Sequence, residues 1–313
     1  MHPDRVTVLA GGVGAARFLQ GVVDVVPPSS VTVIGNVGDD LDAHGLHVSP
    51  DLDTVLYTLT GEIDPERGWG VREDSSRALE RARSLGADAW FWLGDLDIGL
   101  HMARTEWLHS GEPLSAITAR LGEALGLRLQ LLPATDDRLR TMVGVDGGEI
   151  DFQTYYVRHA HRDAVRSLRF DGAEASAPGP GVLDALAAPV VVIAPSNPLI
   201  SIGPILAVPG VREALVSRSG RCVAVSPIVA GEAIRGPAAD MLRTLGHEVS
   251  PVGVARLYEG LCDAFVLDRA DAALARRVEA LGMQAVVADT VMRDPQVRRA
   301  LAAQALEAAG IGA

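Results

Sequence analysis

Cysteine is scarce in this chain: only Cys222 and Cys262 occur, and no C-x-x-C pair is present. That excludes a disulfide framework. Cys222 lies in an apolar, strand-like run and reads as a small core residue. Aromatic residues make up 4% of the chain against 48% hydrophobic, so a sizeable core is available, built mostly of Val, Leu, Ile and Ala. Positive charge is also short. Lys+Arg 28 against Asp+Glu 40 gives a net charge of −12, a poor balance for a general binder of nucleic acid or anionic membrane. Any positive charge beside a phosphate must therefore be placed locally. No apolar run reaches the length of a membrane span, and Pro189 and Pro195 bracket the longest valine cluster. The opening M-H-P-D-R has no basic region followed by an apolar stretch, which points to a reduced, cytoplasmic location. The 313 residues read as one α/β domain, 1–313.

What is present is concentrated in 31–57. Val31–Ile34 is a buried strand, Val55–Tyr57 a packable apolar run, and between them stand Asp39, Asp40, Asp42, Asp51 and Asp53 with two histidines and three glycines. Five acids in one connection repel one another unless something positive sits among them. The options are a hard divalent cation with oxygen ligands or several arginines; a solvated acidic loop is the bland alternative. The acids follow a strand's carboxyl end, where open α/β sheets bind ligands.

Upstream, Val6–Ala10 is a buried strand leading into G-G-V-G-A-A-R-F-L. Gly11, Gly12 and Gly14 make a tight strand-to-helix turn, a cradle of backbone N–H groups for an anion. A dinucleotide fingerprint would need a small residue where Arg17 stands and an acid at the tip of the second strand, which instead ends Gly35-Asn36. No G-K-[ST] follows, so this is not a Walker loop either. Arg17 reads as a phosphate partner or, alternatively, a solvated helix residue.

Further along, Asp74 is placed to cap a helix through Leu85, and Ala89–Leu93 reads as a strand ending in G-D-L-D. His101, Arg104 and Trp107 follow at helical spacing, and Pro113 opens another helix. Residues 62–135 thus read as a mostly helical insertion around a central strand. Residues 140–172 alternate like strands, with Asp146-Gly147-Gly148 a hairpin signal for an antiparallel extension. Gly172–Gly181 is a connector. Val190–Ala194, Cys222–Ser226, Ala264–Leu267 and Gln284–Ala288 restore the α/β rhythm, closed by a helix from Asp294-Pro295 to about Ala309. After Val190–Ala194 comes P-S-N-P-L-I-S-I-G: Ser196, Asn197 and Ser201 offer hydrogen bonds and Gly203 close backbone approach, or the segment is only a proline-rich helix entry. The fold class is α/β, a Rossmann-like doubly wound, mainly parallel sheet with a mostly helical insertion and a small antiparallel extension.

The pieces G-G-V-G-A-A-R-F-L, N-V-G-D-D, S-P-D-L-D-T-V-L-Y-T-L, R-G-W-G, L-L-P-A-T-D-D, A-P-S-N-P-L-I-S-I-G-P-I-L and S-P-I-V-A-G-E-A-I-R-G-P-A run from end to end of the chain. Together they resemble the transferases of deazaflavin coenzyme F-420 biosynthesis, 2-phospho-L-lactate transferase and its actinobacterial phosphoenolpyruvate counterpart. The resemblance implies transfer of a phosphoacid from a GDP-linked donor to the ribityl hydroxyl of the deazaflavin Fo, with release of GMP. It also implies Mg²⁺ and a homodimer. In that light Gly11, Gly12, Gly14 and Arg17, with Ser196, Asn197, Ser201 and Gly203, are expected around the nucleotide diphosphate. Asp39 is expected as a metal ligand, with Asp51 second. Asp53 is expected at the deazaflavin and as a general base, a role exchangeable with Asp51. Trp92 is expected to stack on the acceptor or else to be a core aromatic. His44 and His47 are expected in structural roles, since Mg²⁺ prefers oxygen. Leu96 departs from the G-D-R-D usual in the family and leaves the donor's acid open among phosphoenolpyruvate, 2-phospholactate and 3-phosphoglycerate; Arg104 is the substitute cation, and the look of G-V-G-A-A-R-F-L favours phosphoenolpyruvate. Two competing readings are a non-catalytic nucleotide-sugar-binding regulatory protein of the same superfamily and a nicotinamide dehydrogenase, the latter disfavoured by Arg17 and the missing ribose acid.

Overall fold

The computed structural model describes residues 5–311. The residues Met1–Asp4, on which the reading of the N-terminus rests, lie outside them.

The first half of the chain gives β1 (Val6–Ala10), α1 (Gly12–Val23), β2 (Val31–Gly35), β3 (Leu41–Ala43), β4 (Leu46–Val48) and α2 (Pro50–Thr60). Then come α3 (Arg77–Ser84), α4 (Asp95–His109), α5 (Leu114–Ala124) and β5 (Gln130–Pro133). A second group holds β6 (Arg140–Val145), β7 (Gly148–Asp151), β8 (Ser167–Asp171) and α6 (Val182–Leu186). The remainder is β9 (Val190–Ile193), α7 (Ile202–Ala207), α8 (Val211–Ser217), β10 (Arg221–Val225), β11 (Ile228–Val229), β12 (Glu232–Ala233), α9 (Ala238–Thr244), α10 (Pro251–Leu257), β13 (Ala264–Asp268), α11 (Ala275–Glu279), β14 (Gln284–Ala288) and α12 (Pro295–Ala308).

Seven strands form one sheet in the order β14-β13-β10-β9-β1-β2-β5, and every neighbouring pair is parallel. The central strands are apolar on both faces because helices cover both; V-T-V-L-A and V-V-V-I are buried throughout. The one polar residue of β1, Thr7, is satisfied by donating to the Ala185 carbonyl at 2.6 Å. From β1 the chain steps outward to β2 and β5, then returns to β9 on the other side and steps the opposite way to β14. Right-handed crossovers then place the two sets of helices on opposite faces. The reversal lies between β1 and β9, and the carboxyl ends of those strands are where sheets of this kind bind ligands.

Two expectations are corrected. Ala89–Leu93 is not a strand. Its carbonyls are met by side chains, with Arg83 donating to Ala89 O and His44 Nε2 lying 2.8 Å from Phe91 O, and its rings pack with Leu41, Val48 and Leu93. Asp74 does not cap α3: its two oxygens accept from Leu96 N (2.8 Å) and Asp97 N (3.0 Å) at the start of α4, while Asp95 accepts from Ala78 N (3.0 Å) at the start of α3. The two helix starts are thus capped crosswise, each by the acid that precedes or opens the other helix. The expected small antiparallel extension is present: the strands of 140–172 form a three-stranded antiparallel sheet of their own, order β7-β6-β8, with Asp146 and Gly147 in its hairpin turn. Within 62–135, β5 belongs to the large sheet, paired to β2.

Candidate functional site

The first turn of α1 starts at the carboxyl end of β1. Gly12 sits at φ +76°, a left-handed conformation that turns the chain out of the strand into the helix. Gly11 has no room for a side chain: a Cβ there would lie 2.5 Å from Asp51 Oδ2 and 2.7 Å from Ser201 Cβ. Across the switch point, Gly11 N donates to Ser196 Oγ at 3.2 Å. The glycine turn and the loop after β9 are therefore one surface, with Gly11, Ser196, Ser201 and Asp51 gathered on it. Gly12, Val13 and Gly14 remain partly accessible at its mouth.

Gly14, Gly203 and Asn197 have packing partners within the chain. A Cβ at Gly14 would meet the Pro195 carbonyl at 2.6 Å, so its glycine lets α1 lie against the opposite loop. Gly203 is required by Phe170, whose Cζ would be 2.8 Å from a Cβ. Asn197 turns inward on its own loop: Oδ1 accepts from Leu199 N (3.0 Å), and Nδ2 faces Met241 Sδ at 3.8 Å. Arg17 Nη2 donates to Met292 O at 2.7 Å.

The acids converge as their density in the sequence suggests. Between β2 and α2 the chain makes a hairpin, β3–β4, turned by His44 (φ 55°) and Gly45 (φ 79°), and this folds Asp39 and Asp40 back toward the first turn of α2. Asp39, Asp40, Asp51 and Asp53 are all buried. Asn36 ties the group together: Nδ2 donates to Asp51 Oδ2 (2.9 Å) and to Ile200 O (3.2 Å), while Oδ1 accepts from Gly38 N (2.8 Å). Burial, and next the nearby Asp51 charge, push the Asp39 carboxyl well above its usual range. Burial pushes Asp51 up to about 6 against the pull of the Asn36 amide and the Gly12 N–H.

Asp53 is one turn away in character. Both its oxygens accept from Arg104, at 2.9 Å from Nη1 and in a second contact from Nη2, and Oδ2 also accepts from Ser49 N at 3.2 Å. Arg104 is 1% exposed. The network continues through His101, whose Nε2 lies 3.1 Å from Asp97 Oδ1, to Tyr57, whose hydroxyl donates to the same oxygen at 2.6 Å. Arg104 is therefore engaged inside the protein and does not replace a cation at position 96. Leu96 itself is 62% exposed and lines an apolar groove of about 510 Å³ with Tyr57, Val71, Leu100 and Leu121. His44 holds the Phe91 carbonyl, and His47 Nε2 lies 3.2 Å from Asp40 Oδ2. Trp92 is half-buried, edge-on to Trp69 at 5.3 Å, with the Arg67 guanidinium 4.4 Å over its ring.

Asn36, Ser49, Arg104, Asp97 and Tyr57 were not singled out by sequence as site residues in these roles. One signal existed: Asp97, His101 and Arg104 fall at i, i+4 and i+7, a polar stripe on one face of α4.

A divalent cation fits this arrangement. Asp39 Oδ1 and Asp40 Oδ1 are buried without a hydrogen-bond partner, and two acids held together at Asp39 and Asp51 lack a counter-charge. Among the described residues no three His, Cys, Asp or Glu side chains close a protein-only metal cage, so a cation here would be held by one or two of these carboxylates, with other oxygen ligands completing its shell.

An open, parallel Rossmann-type sheet with a glycine turn and paired buried acids at its switch point defines an α/β protein whose candidate site lies at the carboxyl ends of its strands. The chain belongs to the 2-phospho-L-lactate transferase CofD family, whose model matches residues 6–306. It is similar to proteins named phosphoenolpyruvate transferase from Streptomyces griseus (44% identity, 97% of this chain and 98% of that one) and Mycolicibacterium smegmatis (39%, 98% and 99%). Its fold is similar to the crystal structure of a UPF0052 family member, BH3568, from Bacillus halodurans, with TM-score 0.68 and 18% identity over 98% of this chain and 99% of that one. Among the described residues no helix is long and apolar enough to cross a membrane.

Proposed function

We propose that this transferase moves an enolpyruvyl or lactyl phosphate from a GDP-linked donor to the ribityl hydroxyl of Fo, giving dehydro coenzyme F-420-0 or coenzyme F-420-0 and GMP. The family membership and the relatives' printed names support the class of reaction. The observation that carries the reading is the buried Asp39–Asp51 pair directly beside the Gly11–Ser196 surface.

The chemistry needs little from the protein beyond positioning and charge. The ribityl oxygen bonds to the phosphorus bearing the acid, the bond from that phosphorus to the bridging oxygen breaks, and GMP leaves with the electron pair. The hydroxyl proton passes to the Asp53 carboxylate as general base, a role exchangeable with Asp51. The Val13 and Gly14 N–H groups in the first turn of α1, with the Ser196 and Ser201 hydroxyls, would face the diphosphate oxygens. Asp39 and Asp51 would hold Mg²⁺, which supplies positive charge for the departing phosphate. Asp53, fixed by Arg104, forms the wall toward the acceptor, and Trp92, half-buried and edge-on to Trp69, is the stacking partner for its ring.

The test is mass spectrometry of reactions containing purified protein, Mg²⁺, Fo and each GDP-linked donor in turn. The expected result is a phosphoacid-extended Fo and stoichiometric GMP with at least one donor, abolished in Asp39→Asn. Binding of a nucleotide-linked donor with no GMP released from any would favour the non-catalytic regulatory reading instead.

A further inference from the structure

The chain contains no lysine; all 28 basic side chains are arginines. The buried guanidiniums are committed to carboxylates, Arg104 to Asp53 and Arg218 to Asp263. Three arginines near the glycine turn are not. Arg17 donates to the Met292 carbonyl at 2.7 Å, Arg235 to the Arg67 carbonyl at 3.1 Å, and Arg298 to the amide oxygen of Gln20. All these partners are neutral.

Separate elements bring the three together. Val13 and Arg17 are one turn apart on the same face of α1. A Cβ on Gly68 would lie 2.9 Å from Arg235 Nη1 and 3.2 Å from Val13 Cγ1, so the Arg235 head hangs over the first turn of that helix. Arg298 is carried by α12, whose main chain packs on Gly21 of α1, and its side chain reaches Gln20, one turn beyond Arg17. After burial, the charges of Arg298 and Arg235 pull the Arg17 pKa down, the signature of cations crowded against one another. A chain of net charge −12 could have placed a carboxylate here. Among the described residues none of the three is salt-bridged to a carboxylate, and beside the glycine turn their forks are shaped for an oxyanion.

We propose that Arg17, Arg235 and Arg298 form a second oxyanion site flanking the glycine turn, which takes a phosphate or carboxylate group of the donor. The identity of that ligand rests on the transferase reading; the site itself rests on the three arginines. Isothermal titration of wild type, Arg235→Gln and Arg298→Gln with GDP, phosphoenolpyruvate and inorganic phosphate, all with Mg²⁺, tests it, with a thermal melt to verify folding. Both variants are expected to bind at least one of the three about ten- to a hundredfold more weakly than wild type. A loss for GDP assigns the site to the diphosphate; a loss for phosphoenolpyruvate alone assigns it to the acid. Unchanged affinity for all three in both folded variants, or no anion bound by wild type, overturns the proposal. Phosphate bound by wild type and lost in the variants, with neither GDP nor phosphoenolpyruvate bound at all, upholds the site and removes the proposed substrates.

Discussion

Arg104 and Asp53 share one buried ion pair, and removing either side strands a charge away from water. Such a break costs about 3–5 kcal/mol, whereas replacing both partners by apolar groups is often near neutral. Arg104→Met should therefore lower the urea midpoint strongly, and the double variant Arg104→Met/Asp53→Leu should recover most of the loss. An unchanged midpoint in the single variant would show the pair to be energetically idle. Asp51 titrates in the opposite sense to a salt-bridged acid. Its folded value is about 6 against an ordinary 3.8, so the folded chain holds the proton more tightly. The stability this group contributes is present at about pH 4 and below and is lost as pH rises through about 6. The melting temperature of wild type relative to Asp51→Asn should fall between those pH values, and Mg²⁺ should restore it at neutral pH. Parallel pH curves for the two proteins would contradict the assignment.

Among the elements, the two crosswise caps join α3 and α4. Asp74→Ala should cost about 0.5–2 kcal/mol, as for other lost helix caps, with faster amide exchange at Leu96 and Asp97; protection unchanged there would show the cap to be redundant. The same caps explain a limit of the sequence. An acid before a helical run reads as that run's own cap, and only the tertiary approach of the two helix starts reveals the exchange. Strands β1, β2, β9, β10 and β13 were legible because a strand buried on both faces is a plain apolar run; the edge strand β14 has the same apolar look although it is partly exposed. Ala89–Leu93 has the same aromatic and apolar look, yet side chains satisfy its carbonyls, so composition misleads there. The β3–β4 hairpin was hidden by its short polar strands, though it is what folds Asp39 and Asp40 toward α2. In the site, the acids were legible from their density and the glycines from their turn. The roles of Gly14 and Gly203 were not, because helix-packing glycines and ligand-approach glycines look alike until the neighbour is known: a carbonyl for one, a ring for the other.

Over the whole molecule, the order of the strands puts β1 and β9 side by side at the reversal point, and the two loops leaving them are hydrogen-bonded to each other through Gly11 and Ser196. The acids arrive at that same point from β2 and α2, carried by Asn36 and the folded hairpin. That point therefore brings N–H donors and buried carboxylates together, flanked in our proposal by arginines that have no carboxylate partner among the described residues. The most direct test is a crystal structure of the chain with GDP and Mn²⁺ in place of Mg²⁺, with the metal located by its anomalous signal. The account predicts the diphosphate against the first turn of α1 and the Ser196 loop, with Mn²⁺ on Asp39 or Asp51. A diphosphate bound elsewhere, or a metal site that touches neither acid, would contradict it.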